Sequence, residues 1–225
     1  MKDQSLPQGT QMPTAAPVPR KMSREARREQ LIEATIEVMA EQGFARITLA
    51  DVARKAGLAH GLVNFHFQTK DALLAETLSY LSQEYRANWR AALDQATPTP
   101  AARLNALIRA DFVPAICTPA RRSAWLSFWA EATSRPLYQS LCGGNDRFYI
   151  QTLEGICADL ITEGGYNGDA ARIARVLRVT SEGVWADLVS TQTPYSAAEA
   201  LQTVLDAAAA FFPRHFGANG LLQQP

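Results

Sequence analysis

The stretch that most constrains the fold is Ile47 to Lys70, ITLADVARKAGLAHGLVNFHFQTK. Two segments of about eight residues flank Gly57, and a three- or four-residue turn holding a glycine at positive φ is what a helix-turn-helix uses. Thr48 with Asp51 three residues on predicts a helix start in which the hydroxyl accepts from the N3 amide. Leu49, Val52, Ala53, Ala56, Leu58, Leu62, Val63 and Phe67 have the spacing to lock both helices against an earlier one. The face left over on the second helix is His60, Gly61 and Asn64. Such short or polar groups suit a DNA major groove, which requires hydrogen-bonding tips and no steric block. The spacing alone leaves DNA binding open.

The rest of the 225-residue chain reads as helix, and the expected class is all-α. An amphipathic helix runs from Ser23, a candidate N-cap, to Gly43, with Leu31, Ile32, Ile36 and Met39 on its apolar face. After the helices from Thr48 to Gly57 and from about 60 to 67, a long fourth one runs from Thr69 to about Asp94. Beyond the break at Thr97-Pro98-Thr99-Pro100, helices are expected near 100–113, 121–133, 136–163, 169–191 and 196–212. The expected organisation is a disordered arm over 1–20, which holds four prolines. A helix-turn-helix domain over 21–70, a helical body over 71–216 and a tail over 217–225 follow.

Composition narrows the function classes. With 47% hydrophobic and 20% charged residues the chain is an ordinary globular one, and no apolar run approaches the roughly 18 residues of a membrane helix. Cys117, Cys142 and Cys157 are odd in number and form no C-x-x-C pair, which argues against a disulfide framework and a zinc site. A reducing cytoplasm is the expected location, since the arm lacks the apolar core of a secretory signal. Net charge is zero overall but +3 from Arg20 to Lys70, a weak pointer to a polyanion at that end. No nucleophile elbow, H-E-x-x-H, P-loop or dinucleotide fingerprint is present. A helical enzyme is therefore the disfavoured class, and no catalytic residue, metal or cofactor is expected.

The second informative string is Ala124 to Ala130, AWLSFWA. At 100° per residue Trp125, Phe128 and Trp129 share one helix face, which either belongs to the core or lines a cavity. Neighbouring helices supply Tyr149, Trp185, Asp111 and Glu131, and aromatic faces beside an acid form a cation–π trap for a quaternary ammonium. In the last two helices Ile173, Leu177, Thr180, Val184 and Leu188 make one apolar seam. Leu201, Val204, Leu205, Ala208, Phe211 and Phe212 make another. Such seams either build a four-helix dimer interface or close the monomer core.

The string from Gly43 to Leu58, G-F-x-x-x-T-L-x-D-V-A-x-x-A-G-L, followed by G-L-V-N-F-H-F-Q-T-K-D-A-L-L, resembles the DNA-binding domain of TetR-family transcriptional repressors. The resemblance implies three DNA-binding helices, a helical ligand-binding body and a homodimer on a palindromic double-stranded operator. Carried over by position, Thr48, Asn64, His66 and Lys70 would hold phosphates, while Ala59, His60, Gly61 and Leu62 would face the groove. Two positions depart from the pattern. Ala59 stands where a small hydroxyl residue is frequent and Asn64 where tyrosine is common. His66 between Phe65 and Phe67 also fits a packed histidine, and Arg27 and Arg28 read as a solvated face.

Within that family, AWLSFWA with Arg135-Pro136-Leu137-Tyr138, Glu182-Gly183-Val184-Trp185 and Arg214-His215-Phe216 resembles the BetI type. That likeness implies a choline-like inducer and genes of choline uptake or oxidation. Ala186 and Asp187 depart from it, as does the proline-rich arm. The alternative is a regulator of efflux or catabolic genes sensing an uncharged aromatic or acyl compound. A cavity without a carboxylate near its indoles would favour that reading.

Overall fold

The structure is a computed structural model and describes residues 23–130, 135–193 and 195–222; the arm expected over 1–20 lies outside them. Local capping chemistry sets most helix starts. Ser23 Oγ accepts from the Ala26 amide at 3.1 Å to open α1 (Arg24–Gln42), which Gly43 closes at φ +77°. After a 3-10 turn over Phe44–Arg46, Thr48 Oγ1 accepts from the Asp51 amide to start α2 (Leu49–Lys55). Gly57, at φ +67°, then turns the chain into α3 (His60–His66), where a side chain would be strained. Ala59, the N-cap of α3, offers no capping hydrogen bond.

Thr69 caps α4 (Lys70–Gln95) and Thr99 caps α5 (Pro100–Ala110), whose proline occupies the first turn, where its missing N–H costs nothing. α6 spans Pro119–Ala130, beginning before the expected residue 121 for the same reason. The single helix expected over 136–163 is two, α7 (Arg135–Leu141) and α8 (Gly143–Gly164), divided at Cys142. The consecutive Gly143 and Gly144 lower helix propensity at that point. α9 (Ala170–Ser190) starts at Asp169, and α10 (Ala197–Phe211) starts at a full Ser196–Glu199 capping box. Residues 216–221, mostly in the expected tail, form an antiparallel hairpin of β1 (Phe216–Gly217) and β2 (Gly220–Leu221) against α10.

Leu31, Ile36, Met39, Val52, Val63, Phe67 and Leu73 close the core of the first three helices and the start of α4. α6 lies along α1 on one side and α9 on the other, so one helix touches both the amino-terminal unit and the body. The two carboxy-terminal seams chiefly close the monomer. Ile173, Leu177, Val184, Val204, Leu205, Ala208 and Phe212 are all buried within it, because α9 and α10 pack on each other and on α8 and α5. Thr180, Leu188, Leu201 and Phe211 are half-buried. The face of α9 left to solvent carries Val176, Val179 and Gly183 instead.

Candidate functional site

Two sites can be built from the side chains. The first is the outer face of α3. His60, Gly61 and Asn64 are exposed and Leu62 is half-buried above the buried Val63. A Cβ added at Gly61 would meet nothing within 4 Å, so the helix surface there is open. The Asn64 amide nitrogen lies 3.4 Å from His60 Nδ1, one helical turn away. Thr48 Oγ1 donates to Asp51 Oδ2 at 2.5 Å, which holds that carboxyl below its usual range.

Lys70 is the first residue of α4, and its Nζ donates to the carbonyls of Phe44 (3.4 Å) and Ala45 (3.2 Å). It thereby ties the 3-10 turn to the start of α4. His66 is half-buried, with Nδ1 sealed off and unpartnered among the described residues. Burial first, then Arg24, Arg28 and Arg27, lower its pKa, so its ring favours the neutral form. Arg28 is no solvated residue: it donates to the His66 carbonyl at 3.0 Å, pairs with Glu76 at 3.2 Å and lies 4.6 Å over the Phe67 ring. It joins α1, α3 and α4.

The second site is a cavity of about 480 Å³ between α4, α5, α6, α7, α8 and α9. Trp125, Phe128, Trp129, Tyr149, Trp185 and Asp111 all line it, as the sequence suggested, together with Tyr85, Trp89 and Tyr138. Glu131 lies outside the described residues. Tyr85 is the hub. Its ring packs against Trp125 (6.2 Å between centroids), Tyr149 (6.0 Å) and Trp185 (6.4 Å), while its hydroxyl donates to Asp111 Oδ1 at 2.8 Å. Ser181 Oγ donates to Asp111 Oδ2 at 2.6 Å.

Asp111 is 4% exposed and makes no ion pair among the described residues. Burial raises its pKa to about 6, against the pull of those two hydroxyl donors. Its two oxygens have about four lone-pair sites, so acceptor capacity remains. Further along α6, Trp129 stacks 5.9 Å from Trp125 and its Nε1 donates to the Tyr138 hydroxyl at 3.3 Å. Asp146, Arg178 and Glu182 add polar groups to the wall, and Arg178 pairs with Glu182 at 2.5 Å. The lining thus holds three carboxylates against one guanidinium, and the space favours a cation with an apolar surface.

Sequence reasoning missed Tyr85, Trp89 and Tyr138. Tyr85 and Trp89 are spaced i, i+4 on α4, a helical aromatic pair of the kind that identified α6. Tyr138 gave no such signal, because its place follows from the break at Cys142. Phe128 has a second contact that periodicity could not supply: its ring meets Phe44 of the 3-10 turn edge-on at 5.6 Å. One turn before Trp125, Arg121 donates to Glu33 of α1 at 2.8 Å and to Glu84 of α4 at 2.7 Å. The cavity helix is therefore bonded to the helix-turn-helix unit.

Comparison with known proteins agrees with this layout. Residues 31–77 match the family described as bacterial regulatory proteins, tetR family, and residues 100–213 match the BetI-type transcriptional repressor C-terminal family. The HTH-type transcriptional regulator BetI of Paraburkholderia phymatum is 30% identical over 190 residues, covering 84% of this chain and 94% of that one. BetI 2 of Chromohalobacter salexigens is 33% identical over 178 residues, 77% of this chain and 83% of that one. Among solved structures, a TetR transcription regulator from Haloarcula marismortui superposes with a TM-score of 0.69 at 26% identity, over 83% of this chain and 98% of the other. A Saccharomonospora viridis protein crystallised in complex with choline superposes with a TM-score of 0.72 at 20% identity, over 89% and 100%. The chain belongs to the TetR family of transcriptional regulators, is of the BetI type, and is not an enzyme.

Proposed function

We propose that this chain is a homodimeric cytoplasmic repressor that holds a palindromic operator through α3 and releases it when choline or a related quaternary ammonium fills the cavity. The observation that carries the ligand reading is Asp111. A carboxylate buried in low dielectric without a cation is costly, and here it stands behind a wall of indole and phenol rings. A quaternary ammonium satisfies both features at once, by Coulomb attraction to the acid and cation–π attraction to the faces. An uncharged aromatic or acyl ligand would leave Asp111 as costly as before. The choline complex of the S. viridis protein, which shares the fold, supports the same choice.

On the DNA side, residues 21–70 form the reading unit and 71–216 the sensing and dimerising unit. Thr48, Asn64 and Lys70 hold phosphates, and Ala59, His60, Gly61 and Leu62 face the groove. His66, half-buried and favouring the neutral form, supports α3 against α1 rather than supplying charge. Two such units related by a twofold axis would meet half-sites one DNA turn apart or a multiple of it. Arg121 and Phe128 carry a displacement of α6 directly to Glu33 and Phe44, alongside the route through α4. Genes of choline uptake or oxidation are the expected targets.

The test is fluorescence anisotropy of a labelled duplex selected by the full chain from a random library, titrated with and without choline. The reading expects choline to weaken duplex binding by 5- to 150-fold, the usual range of allosteric coupling. Unchanged affinity at saturating choline would contradict it.

A further inference from the structure

Phe65 is the most exposed large apolar side chain among the described residues, at 67%. It stands on α3 one helical turn after Gly61, on the outward side that also carries His60 and Asn64, while Val63 and Phe67 are buried. An aromatic ring held in water forgoes the gain of burial, and here the ring is held in place. The Arg24 guanidinium lies 5.7 Å over its centroid and the His66 imidazole meets it edge-on at 5.3 Å. Beside it, Gly61 leaves open the space a side chain would fill.

We propose that Phe65 is a base-reading residue, its ring making an apolar contact with the C5 methyl group of a thymine in the operator's major groove. This rests on the reading of α3 as the recognition helix, and Phe65 extends that surface without a break. In the major groove thymine alone offers an apolar group; the other base edges present donors and acceptors. A phenyl ring set against those would leave them dry and unpaired, which is costly. Against a methyl it excludes water from two apolar surfaces. Arg24 stacks on the ring from the side of α1, so its charge accompanies Phe65 toward the duplex backbone.

The experiment uses the full chain and its library-selected duplex. Each thymine is replaced in turn by deoxyuridine, which removes the methyl and nothing else, and affinity is measured for the wild type, Phe65→Ala and Phe65→Leu. Wild type should lose about fourfold at one thymine per half-site, the worth of one buried methyl group. Phe65→Ala should bind the thymine and deoxyuridine duplexes equally, and Phe65→Leu should keep part of the discrimination. Since the ring is exposed, both variants should melt with the wild type. The proposal is overturned if no thymine matters to the wild type, or if Phe65→Ala keeps the full discrimination. Absence of any duplex binding by the wild type would instead remove the recognition-helix reading on which the proposal rests.

Discussion

Arg121, one helical turn before the cavity indole Trp125, donates to Glu33 of the first DNA-binding helix at 2.8 Å. The same guanidinium holds Glu84 of α4 through two hydrogen bonds of 2.7 Å each. Only 14% of the arginine side chain is exposed, so solvent screens this junction less than it would a surface pair. One side chain thus ties α6, which lines the cavity, to both α4 and α1.

Arg121→Ala should separate sensing from release. Choline affinity should stay within about twofold, because Arg121 is not part of the cavity wall, while the effect of choline on duplex affinity should fall severalfold from its 5- to 150-fold range. Paired titrations of choline and duplex measure both. Full coupling in the variant would show that the signal passes without Arg121, through α4 or the Phe128–Phe44 contact.

Asp111→Asn should abolish cation binding without weakening the fold. The folded pKa of Asp111, about 6, lies above its usual 3.8, so the native state binds the extra proton between those values. The net cost of ionising Asp111 in the fold, on the order of 3 kcal/mol, is therefore present in full above pH 6 and fades as pH falls toward 4. At pH 7 the asparagine variant should melt at or above the wild-type temperature, and below pH 4 that advantage should vanish. In the wild type, choline affinity should weaken by about tenfold per pH unit below pH 6. A variant that melts lower at pH 7 would mean the carboxylate stabilises the unliganded fold.

Lys70→Ala should weaken every duplex alike and reduce the slope of log affinity against log salt by about 0.9, the loss of one phosphate contact. Its Nζ also bonds the carbonyls of Phe44 and Ala45, so a small loss of thermal stability should accompany this. An unchanged salt slope would assign Lys70 to the turn alone.

Val179→Glu should yield a folded monomer with poor operator affinity, seen by sedimentation velocity and anisotropy. Val179 is half-exposed on the free face of α9, whereas Leu177 is buried in the subunit. Leu177→Glu should instead unfold the chain, since an unpaired charge would enter the core. A dimeric Val179→Glu protein would place the subunit contact elsewhere.

The helix-turn-helix was legible because its signals are local. Thr48, Gly57 and the spacing of Val52, Val63 and Phe67 each act within a turn or two of their own position. The indole stripe of α6 was legible for the same reason, and Asp111 could be proposed beside it. What the sequence left open depends on distant packing. Periodicity shows that Leu177 and Val204 are apolar but not whether they face another helix of the same subunit or a second copy; they face their own. Arg28 looked like a surface charge because Glu76 and the His66 carbonyl, which engage it, lie 48 and 38 residues away in sequence. The Arg121 junction joins residues 88 and 37 positions apart and leaves no local trace.

The most direct test of the central claim is a tryptophan-fluorescence titration of the full chain with choline and with 3,3-dimethylbutanol, its neutral carbon isostere, at pH 7.5. The cavity account predicts saturable quenching by choline, none by the isostere at the same concentrations, and loss of the choline response in Asp111→Asn. Equal responses to both compounds, or an undiminished choline response in Asp111→Asn, would contradict a cation held between these aromatic faces and the buried carboxylate.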